Sequence, residues 1–460
     1  MSILLLALIC AQPPAALTAV RQVELDQLAA RVATDLRNPV EYRFHEDKQA
    51  ERFGYALRLA TVWPRPESRE PLLAILASDD LPKIGTAAIG LLNYDDPAIS
   101  AKVAQMTDDD RLFFAGCLGE RVGDSVARAI KRHTEGFEFP IVAGRLLPEE
   151  NTKSSPADAP GIMTVPRAIA ALRDDELTIR LQAFVWLMRF GIVLDVQPLL
   201  EAWPQMTDAE REQSIGYSDE APSIGAESLR RALEHVLESD PPKGPKASAL
   251  LVHRLAWLSS DHAHDAAVAL LTQWPHAPVP VERSFLNQWS YALRGLIRVS
   301  QPADAELAYG WIAGSFEPLR HGGFGMLAAM DDERAVETVI AYMEDSSEPR
   351  PILTLVNPID ILASREWPDN EVHWRYIRAI QGMLNRPDDP GRRNYKCGYP
   401  TSALIDTANA MTQVYHGDNG VMIPSGTNQI EVARTIRQFN GWVEEHDPRR
   451  MPRLRTPSTE

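Results

Sequence analysis

The chain has 460 residues, with 47 Lys and Arg against 63 Asp and Glu, a formal charge of −16. Hydrophobic residues at 45% and charged residues at 24% are ordinary globular usage, enough for two or three cores or one long repeat array. The acidic balance argues against a nucleic-acid binder, which needs a basic face, and no run of about 20 apolar residues follows the N-terminus to span a membrane.

The apolar run Ile3–Ala11, followed by Gln12-Pro13-Pro14, resembles the h-region of a secretory signal peptide. Cleavage after Ala11, Ala16 or Ala19 fits its small residues. It departs in having no Lys or Arg before the run, and Ile9 does not suit a lipoprotein box at Cys10. The expectation is a signal peptide over 1–19 and an exported protein, periplasmic or extracellular; a cytoplasmic protein is the alternative. Loss of Cys10 leaves Cys117 and Cys397, which are no disulfide framework.

An N-terminal hairpin block is expected over 23–147. It opens on a helix near Val23, with Leu25, Leu28, Ala29 and Val32 on one face. Leu112–Leu118 reads as an apolar helical stretch in which Cys117 is a buried small hydrophobe. The polar, Pro-rich Pro148–Pro160 marks a linker over 148–164, separating this block from a main helical array over 165–386. In the array, Glu176–Phe190 is apolar on most sides and predicts a helix sandwiched between neighbours. Leu229, Ala232, Leu233, Val236 and Leu237 form one stripe opposite Glu227, Arg230, Arg231 and Glu234. Ser239–Lys246 is a shorter break. Pro351–Asn357 is the best short strand candidate. An irregular region over 387–446 ends in a capping helix, Gln429–Glu445, and the tail 447–460 reads as disordered.

Three segments share a register: Pro71–Leu92, Ala168–Leu187 and Gly325–Met343. Each is an apolar helix, an Asp-Asp turn and a second amphipathic helix. Asp79, Asp174 and Asp331 align, as do Ile84, Ile179 and Val336, and Ala88, Ala183 and Ile340. The acidic pair suits a helix N-terminus and offers a capping oxygen. Such a hairpin cannot bury its stripe alone, so hairpins must stack. Trp-Pro recurs at Trp63, Trp203, Trp274 and Trp367. Each is expected to end a helix, because the residue before Pro avoids the α region. The first three stand near multiples of a repeat of about 35 residues.

These segments resemble HEAT repeats, most clearly at Ala168–Leu187, where Asp174 and Arg180 match the family's Asp and Arg positions. Gly85 and Glu337 depart from that Arg. The resemblance implies an all-α fold, a right-handed α-solenoid of degenerate stacked hairpins, with a polar Asp–Arg ladder across neighbouring repeats. It implies a protein-interaction surface and no particular chemistry.

Residues that could carry chemistry are few. In Asp261-His262-Ala263-His264-Asp265 the imidazoles stand two apart, so on a helix they point away from one another and cannot share an ion. Capping of a helix from Ala263 explains the segment better. His321-Gly322-Gly323-Phe324-Gly325 resembles the oxyanion loop of some lipases, but no Gly-x-Ser-x-Gly elbow accompanies it, and an inter-helix turn is the expected role. Cys397 and His416, with Asn419 or Asp418, are a conceivable thiolate–imidazole pair. Trp257, Trp274, Trp289 and Trp311 are expected to be hairpin core. The favoured reading is a non-catalytic scaffold that binds a protein or peptide and needs no metal or cofactor. An enzyme on a HEAT-like array, lyase-like or hydrolase-like, with a site near Cys397 and His416 or near His262 and His264, is the alternative. N-terminal sequencing of the protein from its native host is expected to start between Gln12 and Val20; a chain that retains Met1 or Ser2 in the cytoplasm contradicts export.

Overall fold

The computed structural model describes residues 14–38, 48–115, 118–135, 164–216, 222–272, 283–345, 358–359, 361–363, 365–367, 370–385 and 429–449. Among them the protein is predominantly helical. It divides into two compact units, the described residues up to Gly295 in one and those from Leu296 in the other.

The first unit contains α1 (Pro14–Arg37), α2 (Lys48–Ala60), α3 (Pro66–Leu76), α4 (Leu81–Leu92), α5 (Pro97–Gln105) and a hairpin of β1 (Leu112–Ala115) and β2 (Leu118–Arg121). It continues with α6 (Val122–Glu135), α7 (Val165–Ala171), α8 (Leu177–Arg189), α9 (Gln197–Ala202), α10 (Asp208–Ile215), α11 (Ala226–Ser239), α12 (Pro245–Trp257) and α13 (Ala263–Thr272). The division falls inside α14 (Arg283–Val299). The second unit then holds α15 (Ala305–Ala313), α16 (Glu317–Ala329), α17 (Glu333–Glu344), α18 (Asn370–Leu384) and α19 (Gln429–His446). A chain with 35 prolines stays helical because many sit in first turns, as in α3, α4, α5, α7, α9, α12 and α16. There the missing N–H has no intrahelical acceptor to lose.

The three aligned segments are helical hairpins: α3–α4, α7–α8 and α16–α17, each pair in contact. Their aligned positions are interior: Ile84, Ala88, Ala183, Val336 and Ile340 are buried, and Ile179 nearly so at 8% exposure. The three Asp pairs act differently. Asp332 caps α17, its Oδ1 accepting from Arg334 N at 2.8 Å and Ala335 N at 3.2 Å. Asp80 makes no cap bond and pairs with Lys83 at 2.5 Å. In the middle hairpin Glu176 takes the cap position, and Asp174 accepts its N–H at 2.9 Å.

The structure corrects several expectations. Leu112–Ala115 and Leu118 are strand and not helix: Leu112 pairs with Arg121 and Ala115 with Leu118 in an antiparallel ladder. Phe113 and Phe114 favour strand, and Gly116 and Gly119 disfavour helix. His321–Gly325 is no turn either, and lies within α16. Trp203 keeps helical dihedrals ahead of Pro204, and α9 runs on into a short 3-10 turn, Trp203–Gln205. Residues on the two sides of the expected linker share one core, in which Val165, Ala168, Trp186 and Leu187 join Leu28, Phe53, Leu72 and Leu91. Pro351–Asn357, Trp274 and most of the linker lie outside the described residues.

Links far apart in sequence tie the first unit together. Val165 N–H donates to the Val62 carbonyl at 2.9 Å. Tyr55 OH donates to the Phe190 carbonyl at 2.8 Å across 135 residues. Arg21 reaches Ser228 Oγ at 2.9 Å across 207 residues, setting α1 against α11. Tyr94 OH donates to the Arg65 carbonyl at 2.6 Å, and burial pushes this phenol from 10.0 up to about 12. Close helix approach depends on small residues. A Cβ on Gly85 would collide with Ser125 of α6, so the arginine of the HEAT pattern has no room there. In the second unit, a Cβ on Gly323 would stand 2.7 Å from the Ala308 carbonyl of α15, and one on Gly325 would stand 2.6 Å from Ile297.

Two outcomes follow from this packing. Gly323→Ala should lower the denaturant midpoint, at a cost of about 1–3 kcal/mol. Gly310→Ala, whose Cβ meets nothing within 4 Å, should raise it by about 0.5–1 kcal/mol through helix propensity. Urea titrations that give both variants the same sign contradict the close approach. For Tyr94, the folded state holds its proton more tightly than the unfolded state does. Its contribution is complete below pH 10 and is lost as pH rises from 10 toward 12. Alkaline unfolding of Tyr94→Phe should show a shallower loss in that window; an unchanged slope counts against the buried phenol.

Candidate interaction surface

The side chains singled out in sequence do not converge. Ser260 opens the turn before α13, its Oγ accepting the His262 N–H at 3.2 Å. His262 Nε2 then stands 3.9 Å from Glu238 of α11. His264, in the first turn of α13, has Nδ1 2.9 Å from Asp265 Oδ1. The two imidazoles face different carboxylates, His262 from the turn that precedes α13 and His264 from the helix itself. Among the described residues no group of three or more His, Cys, Asp or Glu is arranged to hold a metal ion. Cys117, Cys397 and His416 lie outside the described residues.

What these elements do build is a charged outer surface over an apolar interior. On α11, Leu229, Ala232, Leu233 and Val236 are buried while Glu227, Arg231 and Glu238 are exposed. Arg230 donates to Glu227 at 2.8 Å and to Glu234 at 2.7 Å, and Arg231 donates to Glu227 at 2.7 Å. Those two guanidiniums hold the Glu227 carboxyl below its usual range. Glu234 also accepts from Ser260 Oγ at 2.7 Å, which fixes α11 against the turn before α13. Beside this latticework Glu238, Asp261 and Asp265 face solvent, Asp265 with 95% of its side chain exposed.

Ion pairs join turns and loops about one hairpin apart in sequence. Asp79 pairs with Arg111, 32 residues on, at 3.2 Å. Asp331 pairs with Arg365, 34 residues on, at 3.1 Å. Arg211 is buried, stacks over Trp203 at 5.0 Å, and donates to Asp240, 29 residues on, at 2.5 Å. The position matching the family's arginine is used in three ways. Arg180 closes its own turn, donating to the Asp174 and Asp175 carbonyls at 3.1 Å each, and reaches Glu201 at 2.6 Å. Gly85 leaves the place empty for α6. Glu337 inverts the charge and meets Arg375 of α18 at 3.6 Å.

The tryptophans divide. Trp63, Trp186 and Trp203 are buried. Trp257 and Trp311 are half-buried rather than core, and the side chains of Trp274 and Trp289 lie outside the described set. Sequence reading missed the aromatic surface of the second unit. Trp374 of α18 stacks on Trp442 of α19 at 5.7 Å, and Trp367 stacks on Tyr376 at 5.1 Å. The available signal was the stripe Trp374, Arg378 and Asn385 on α18, at helical spacing.

No protein-family model matches the chain, and no curated protein matches it. Among solved structures, the crystal structure of an engineered protein is similar over 84% of this chain and 99% of that one, at 14% identity and a TM-score of 0.30. A likeness at that level carries no argument. No described helix is long and apolar enough to cross a membrane.

Proposed function

We propose that the protein is an exported, non-catalytic scaffold of the cell envelope that binds a protein or peptide through stacked helical hairpins. In this reading the fold is a degenerate right-handed α-solenoid of the HEAT-like kind. One observation carries the reading: hairpins with a common Asp-Asp turn recur at α3–α4, α7–α8 and α16–α17, and in the first and third an ion pair about one repeat long ties that turn to a later loop. Stacking of that kind turns an apolar stripe into interior and leaves polar faces for recognition. The face formed by Glu238, Asp261 and Asp265 is acidic, and its complement is a basic segment of the partner.

Export is consistent with the place of α1 in the core. Leu25, Leu28, Ala29 and Val32 make its buried contacts, so cleavage after Ala11, Ala16 or Ala19 removes none of them.

The test is affinity capture from the native host with the natural chain and with the triple variant Glu238→Lys, Asp261→Lys and Asp265→Lys. The natural chain is expected to retain a specific partner and the triple variant to lose it, with far-UV CD unchanged. Capture no better than that of a charge-matched control protein, or capture indifferent to the reversal, overturns the reading.

A further inference from the structure

We draw no further inference here: the strongest candidate, the half-buried aromatic face that Trp374 of α18 and Trp442 of α19 form in the second unit, carries nothing, because nothing in the structure shows what covers it.

Discussion

The helices of this protein are too apolar for any single hairpin to cover, and that excess surface governs the rest of the structure. α8 is the extreme case: Ala183, Phe184, Val185, Trp186, Leu187 and Met188 are buried in succession, on every side of the helix. A helix buried all round must be sandwiched. Its neighbours come from both directions of the chain, with α7 before it, α9 after it, and Trp186 and Leu187 in the core formed by α1 to α6. Burial at roughly 25 cal/mol per Å² of apolar surface is the dominant stabilising term. It acts only when backbones come close enough to exclude water, which is why Gly85, Ala183, Gly323 and Gly325 stand at crossings.

The ion pairs have a different role. Asp79 and Asp331 are fully exposed on their side chains, and exposed pairs contribute about 0–1 kcal/mol each. They add little to stability, but each fixes which turn lies beside which loop, a choice that non-directional apolar packing leaves loose. Arg211 differs, because its buried guanidinium holds Asp240, the Trp203 carbonyl and the Trp203 ring together. Its removal would disturb the turn after α9 and the start of the loop to α12 at once.

Sequence made the hairpins legible where local and tertiary signals agree. The stripe Leu229, Ala232, Leu233 and Val236 is buried, as its spacing requires, and the three Asp-Asp turns fall between helices. It misled where residue type carried two meanings. Gly322, Gly323 and Gly325 suggested a turn through their freedom at positive φ, yet Gly323 and Gly325 serve close approach inside α16. Phe113 and Phe114 suited an apolar helix and a strand equally, and the flanking glycines decided for the strand. The candidate surface was less legible still. Arg378 and Asp447 are 69 residues apart with no common periodicity, so only the fold brings them together. The histidines looked like chemistry because they stand close in sequence, but His262 belongs to the turn before α13 and His264 to its first turn, and they face different carboxylates.

The two ends of the described chain meet the problem of uncovered surface in opposite ways. At the start, α1 is drawn into the core of its unit, with Leu25, Leu28, Ala29, Val32 and Leu36 buried and Arg21 anchored to Ser228 on α11. At the other end, α19 lies on α18 with an outer face of Arg434, Arg437, Gln438, Glu444 and Glu445. A polar outer face ends a stack, because a further hairpin laid against it would bury charges without partners. The inner face of α19 packs on α18 through Phe439, Trp442 and Val443. Two polar clasps, Arg378–Asp447 and Asn385–Asn440, fix its place on α18 beside the stack of Trp374 on Trp442. The Arg378–Asp447 pair is the larger of the clasps, because it is the one that buries a charge.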